Sequence, residues 1–218
     1  MTRITAIVCV RNGAVRLPRA LASIRAQTRP PDEVLVVDGQ SSDGTGAIAA
    51  GWGARVVMQE GEGLADARNL GVARAHGDML AFLDHDDRWM PDKLARQAAA
   101  LDRMAGPAYA IAHLRFVTDA ADPLPVPGPR GVPRLGRTPG TLLVHRAILD
   151  RVGPFAAEFG MGCDMDWFAR AASEPSVTDP QVLLQKTLRA DALSADPARN
   201  RAAAFAVVAR RLAERRRG

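Results

Sequence analysis

The chain has 218 residues, 29 Lys and Arg against 24 Asp and Glu, and 47% hydrophobic residues, enough for one domain with a buried core and short for two. Such a composition excludes disorder, a collagen-like repeat and a disulfide scaffold. The net charge of +5 sits wholly in residues 189–218, where eight arginines face three acids; residues 1–188 are neutral, so the body is not a nucleic-acid surface.

Ile4–Val10 is the longest apolar run, far short of the roughly 20 residues that cross a bilayer. It reads as a strand buried on both faces of a parallel sheet. Leu17, Leu21 and Ile24 follow at helical spacing, until Pro30-Pro31. A second buried strand, 33–37, ends at Asp38 and a turn-rich loop to Thr45; a helix then runs to Gly51. Further elements follow in order: a strand at 55–58, a helix at 64–75, a strand at 78–83, a helix at 91–104 and a strand at 109–117. Strands alternating with helices predict an α/β unit with a mostly parallel central sheet. Residues 119–139 hold six prolines and read as one long surface loop, a candidate lid. Beyond it come a strand at 141–144, helices at 146–152 and 164–172, and a basic helix at 197–217 whose Phe205, Val208 and Leu212 form one apolar stripe. That stripe is expected to dock on the domain; the alternative is peripheral contact with anionic lipid at the inner membrane face. No cleavable leader is visible, and Cys9 and Cys163 cannot build a disulfide framework, so a cytoplasmic setting is expected.

In an open parallel sheet, ligands bind outside the carboxyl ends of the strands. Here those ends carry Arg11-Asn12, Asp38 and Asp84-His85-Asp86-Asp87. Carboxylates packed so closely repel one another unless a cation sits among them. Oxygen-only ligands suit Mg²⁺ or Mn²⁺, held by one or two carboxylates plus substrate phosphates. A helix N-cap cluster ahead of Pro91 is the competing explanation.

The segments 21–28, 33–45 (EVLVVDGQSSDGT), 67–71 (ARNLG), 77–94 (GDMLAFLDHDDRWMPDKL) and 152–155 (VGPF) stand in one order. Together they resemble family 2 of the inverting, nucleotide-sugar-dependent glycosyltransferases over roughly residues 3 to 172. The resemblance implies the GT-A fold in residues 1–196, with a nucleotide-sugar half at 1–117, an acceptor and catalytic half at 118–196, and a separate basic helix at 197–218. It implies a donor, most simply a UDP-sugar, contacted by Cys9, Val10, Arg11, Asn12, Asp38, Gly39, Arg68, Asp84, His85 and Asp86. The Asp-x-Asp motif falls on Asp84 and Asp86, the metal candidates, with Asp86 favoured for the direct contact and His85 a bystander between them. Arg68 faces the nucleotide or, as an alternative, pairs with Asp66 or another helix acid; Asn69 ties down a loop. Inversion needs one general base. The resemblance assigns it to Asp164, with Asp166 in support and Trp167 in the core.

The pattern also departs from the family. Val10-Arg11-Asn12 replaces Pro-x-Tyr-Asn, Gly39 replaces a frequent second acid, Cys163 stands where an acid precedes the base, and the loop at 189–194 offers Arg189 but no His or Asn. A catalytically weak nucleotide-binding module is therefore the second reading. A dehydrogenase would need G-x-G-x-x-G after the first strand, which is missing. The acceptor (a glycan, a lipid-linked sugar, a peptide or a small molecule) is not specified by these residues.

Overall fold

The first strand, β1 (Ile4–Val10), is buried along its whole length, and its side chains divide between the two faces of the sheet. Ile4, Ala6, Val8 and Val10 pack into one hydrophobic cluster, Ile7 and Cys9 into another. A strand sandwiched between two layers needs apolar residues at both parities, which explains the unbroken run. The structure, a computed structural model, describes residues 2–118, 132–189 and 197–215.

The chain continues through α1 (Leu17–Arg25), β2 (Glu33–Asp38), α2 (Thr45–Gly51), β3 (Arg55–Met58), α3 (Gly63–Arg74), β4 (Met79–Asp84) and β5 (Arg88–Trp89). It then forms α4 (Lys93–Leu101), β6 (Tyr109–Thr118), β7 (Arg134–Leu135), β8 (Leu143–His145), α5 (Arg146–Val152), α6 (Cys163–Arg170), β9 (Ser176–Leu188) and α7 (Pro197–Arg215). Among the described residues the sheet runs β3-β2-β1-β4-β8-β6-β9-β5, with β7 on β6. β3, β2, β1 and β4 are mutually parallel; β8 is antiparallel to β4 and β6, and β6 and β9 are parallel. Helices α1, α2 and α4 cover one face with Leu17, Leu21, Ile24, Ala49, Leu94 and Leu101. Helices α3, α5 and α6 cover the other with Ala67, Ile148, Leu149, Trp167 and Phe168.

The sequence reading places the first four strands and α5 within a residue of their observed bounds, but it has no strand after residue 144. β9 is the longest strand, and it was hidden by Asp179-Pro180. Proline removes a ladder donor and belongs at a bulge. The β6–β9 register indeed shifts at Ala112/His113 and again at His113/Leu114, where Asp179, Val182 and Leu184 take turns as partners. The long loop is also shorter than expected. Arg134 and Leu135 pair with Leu114 and His113, and a 3₁₀ turn occupies Pro139–Thr141. The remainder of the candidate lid, 119–131, lies outside the described residues.

The terminal helix does not dock as its stripe suggests. Phe205 and Val208 are 73% and 55% exposed, whereas Val207 is buried. Arg210 pairs with Glu158 (2.8 Å) and lies 5.2 Å over the Phe159 ring, so α7 rests on the 3₁₀ turn Ala157–Gly162. The side chain of Leu212 lies outside the described set. Among the described residues, no helix is long and apolar enough to cross a membrane.

Candidate active site

Three strand ends build one rim. In the parallel register Val10 lies beside Asp38 of β2, and Cys9 beside Asp84 of β4. Adjacent strands are about 4.8 Å apart, so the Asp38 and Asp84 backbones flank β1 at roughly 10 Å, their side chains directed to opposite faces of the sheet. Asp38 is buried and accepts the Ser41 N–H at 2.9 Å. The Gly39 N–H donates to the Val10 carbonyl at 2.8 Å. A Cβ at position 39 would sit 3.2 Å from Gln59 Oε1 and 3.3 Å from Arg11 Cβ, so this rim leaves little room for the acid the family often carries there. Asn12, at φ 50°, ties the first loop to the second: its N–H donates to Ser41 Oγ (2.8 Å) and its Oδ1 accepts the Ser42 N–H (2.9 Å). Arg11 is exposed beside it. His85 packs on Gly13, where a Cβ would meet its ring at 2.8 Å, and burial lowers its pKa.

The acids beyond β4 are matched by cations from the chain itself. Asp84 Oδ2 accepts from Lys186 Nζ at 3.2 Å, and Asp84 Oδ1 faces Arg68 Nη2 at 3.3 Å. Burial works to raise the Asp84 pKa, but Lys186 and Arg68 hold it well below the usual carboxylate range. Asp87, 1% exposed, accepts from Lys186 Nζ (2.9 Å) and from the Thr187 N–H (2.8 Å). Its burial pushes the pKa up, to about 7, against the pull of Lys186. Asp86 Oδ2 accepts from Arg189 Nε at 2.7 Å. Lys186 was missed by the sequence reading because the strand that carries it was missed. The signal was there in Val182-Leu183-Leu184, an apolar run ahead of the lysine.

The late-helix carboxylate reaches the same cluster through Arg68. That residue, expected to face the nucleotide side or to pair with Asp66 or another helix acid, is buried and pairs with an acid of helix α6 and with one at the end of β4. Its side chain is 2% exposed, and its guanidinium joins Asp164 on one side and Asp84 on the other, with Phe155 at 5.6 Å. Asp66 is instead engaged by Gln59 Nε2 at 2.9 Å. Asp164, in the first turn of α6, is 22% exposed; burial raises its pKa while Arg68 pulls it down. Cys163 beside it is a fully buried free thiol, pushed up to about 12 by burial, and is not a nucleophile at neutral pH. Cys9 is likewise a free buried thiol at about 12. Asp166 turns away into an ion pair with Arg170 at 2.8 Å. Trp167 is core, stacked on Phe155 with centroids 5.7 Å apart. Asn69 clamps that layer by exchanging two 2.9 Å hydrogen bonds with the Phe155 backbone, the loop-tying role expected of it.

Among the described residues no three His, Cys, Asp or Glu side chains converge, and both oxygens of Asp84 already face protein cations. The residues therefore suit Mg²⁺ or Mn²⁺ in one form, a single carboxylate from Asp86 completed by substrate phosphate oxygens.

The arrangement has relatives. Residues 5–157 match the family model described as glycosyl transferase family 2. The succinoglycan biosynthesis protein ExoO of Rhizobium meliloti is 34% identical over 119 residues, covering 53% of this chain and 34% of that protein. The match spans about a third of the length of the curated relatives. A crystal structure of S. aureus TarS 1-349 in complex with UDP superposes with a TM-score of 0.71 at 21% identity, over 86% of this chain and 61% of that one. The mannosyltransferase PcManGT of Pyrobaculum calidifontis, in complex with GDP-Man and Mn²⁺, gives 0.67 at 22%, over 87% and 58%. The shared architecture is the GT-A fold. With the family model covering well over half of its length, the chain belongs to glycosyl transferase family 2.

Proposed function

We propose that the chain transfers a hexosyl group from a nucleotide diphosphate sugar, a UDP-sugar first, to an acceptor hydroxyl with inversion, and that Asp164 is the general base. The observation that carries this is Arg68, which bridges Asp164 of α6 to Asp84 of β4 and so puts a late-helix carboxylate on the donor rim. The donor lies across β2, β1 and β4, its nucleoside toward Asp38, Gly39 and Arg11 and its diphosphate toward Asp86. TarS, crystallised with UDP, and PcManGT, crystallised with GDP-Man and Mn²⁺, support a nucleotide donor.

Asp164 is suited to take the acceptor proton. Burial raises its pKa above an exposed aspartate's, while Arg68 favours the ionised form that a base requires. Lys186 and Arg189 hold Asp84, Asp87 and Asp86 in place along the rim. Mg²⁺ or Mn²⁺ held by Asp86 would neutralise charge on the departing diphosphate. Residues 1–117 then form the donor half, 118–196 the acceptor half and 197–218 an appended helix. Two free buried thiols suit a reducing, cytoplasmic compartment. The exposed Phe205 and Val208 on a basic helix suit contact with anionic lipid.

A panel of nucleotide sugars with and without Mn²⁺ tests the reading. Consumption of one donor, with inverted anomeric configuration in the product, is expected. A second reading, a nucleotide-binding module without turnover, is favoured by the ion pair that occupies Asp164. Binding without consumption across the panel and with varied acceptors would establish it.

A further inference from the structure

We propose that a cavity beside Asp86 receives a phosphate group carried by the acceptor, a proposal that rests on the transferase reading above. The cavity measures about 130 Å³ and is lined by Arg16, Arg19, Arg88, Asp86, Thr118 and Thr187. One water needs about 10–15 Å³ of such space, so the cavity has room for a phosphate group.

The fold brings these residues together from four elements. Helix α1 leans on β5: the Trp89 N–H donates to Ser23 Oγ (3.2 Å), and Gln27 binds the Met90 carbonyl (2.8 Å) and the Leu94 N–H (3.0 Å). This docking sets Arg16 and Arg19, at the start of α1, against Arg88. From the other side, Val117 of β6 lies in register with Thr187 of β9, so those two residues share one face of the sheet, with Thr118 next along β6. Asp86 closes the wall, and its carboxylate already accepts from Arg189 at 2.7 Å, so it does not cancel the wall's charge. The lining thus sets three arginines, two threonines and Val117 beside the already paired Asp86 carboxylate, and the guanidinium fork matches phosphate oxygens.

Sheet order assigns the anion to the acceptor. The donor rim lies over β2, β1 and β4, with Asp38 at its far side. The cavity lies beyond β4, over β6, β9 and β5. Asp86 is the wall common to both. An acceptor anchored there runs past Asp86 toward Asp84, which Arg68 ties to Asp164.

The test titrates glycerol 1-phosphate, glycerol and UDP by calorimetry into the full chain and into the double variant Arg19→Gln/Arg88→Gln. Both arginines are exposed, so the variant should fold; its circular dichroism melt checks this. The expected result is glycerol 1-phosphate binding that falls about tenfold or more in the variant, the worth of one lost hydrogen bond to a charged group, with UDP affinity unchanged and no glycerol binding. Equal glycerol 1-phosphate affinity in both chains overturns the cavity. A parallel loss of UDP affinity overturns the acceptor assignment, because the anion would then be the donor's diphosphate. Lack of UDP binding by the unmodified chain is a separate failure: it removes the donor reading and with it the acceptor assignment, while the glycerol 1-phosphate arm still reports on the anion site.

Discussion

Replacing Arg68 by Met probes the centre of the site. The guanidinium is 2% exposed and contacts two carboxylates. Methionine fills much of the same volume and removes the charge. Asp84 keeps Lys186 at 3.2 Å, but Asp164 loses its cation. Removing one partner of a buried pair costs about 3–5 kcal/mol. The two carboxylates are 25% and 22% exposed, which lets water reach them and sets the expected loss at the low end, about 3 kcal/mol. That loss is within the 5–15 kcal/mol of an ordinary domain, so the variant should remain folded when cool.

The sign of the pH effect follows from burial. Asp164 already titrates above the ordinary aspartate range, so its contribution to stability is complete in acid and is lost as pH rises. Without Arg68 the carboxyl moves further up, and the variant should regain stability on acidification more than the wild type does. The acid limb of kcat should shift to higher pH, with turnover lower at neutrality and partly recovered in alkali. Each 1.4 kcal/mol of lost pairing is a tenfold change in protonation, so a drop of about ten- to a hundredfold at pH 7 is expected. Arg68→Lys retains a charge without the fork and should fall between. Thermal melts and pH–rate profiles of the two variants, and of Arg68→Met/Asp164→Asn, decide the matter. An unmoved acid limb, or a double variant no more stable than Arg68→Met, would refute the coupling.

Three further outcomes are expected. Asp164→Asn should lower kcat by at least about a hundredfold with donor affinity near wild type; surviving turnover removes Asp164 as the base. Asp86→Asn should erase the Mn²⁺-dependent gain in nucleotide affinity, by about tenfold or more, read by titration with and without Mn²⁺; an intact gain removes Asp86 as the ligand. In liposome flotation, the full chain should follow anionic vesicles and residues 1–196 should not, given the exposed Phe205 and Val208; equal flotation would place any membrane contact outside α7.

Legibility in the sequence followed how local each signal was. β1, β2 and β4 could be read because a strand buried on two faces must be apolar throughout, and the acids at their ends stood out against that background. Asp166 could be set aside from Asp164 by helical spacing alone, and Asn69 by its place in the ARNLG segment. Lys186 and the destination of Arg68 could not be read, for one physical reason. Both depend on pairings across more than ninety residues, Lys186 with Asp84 and Asp87, and Arg68 with Asp164. No periodicity encodes such partners; a bulge at Asp179-Pro180 was enough to hide the strand that delivers one of them.

The same distance explains why the acidic tetrad was read as demanding a metal. Close carboxylates do demand positive charge, and the sequence places that charge far downstream, at 186 and 189. The chain thus meets most of the demand itself and leaves Asp86, at the boundary between the donor rim and the arginine-lined cavity, as the carboxylate best suited to a cation arriving with substrate. A site built this way is held together by the chain's own cations, Arg68, Lys186 and Arg189.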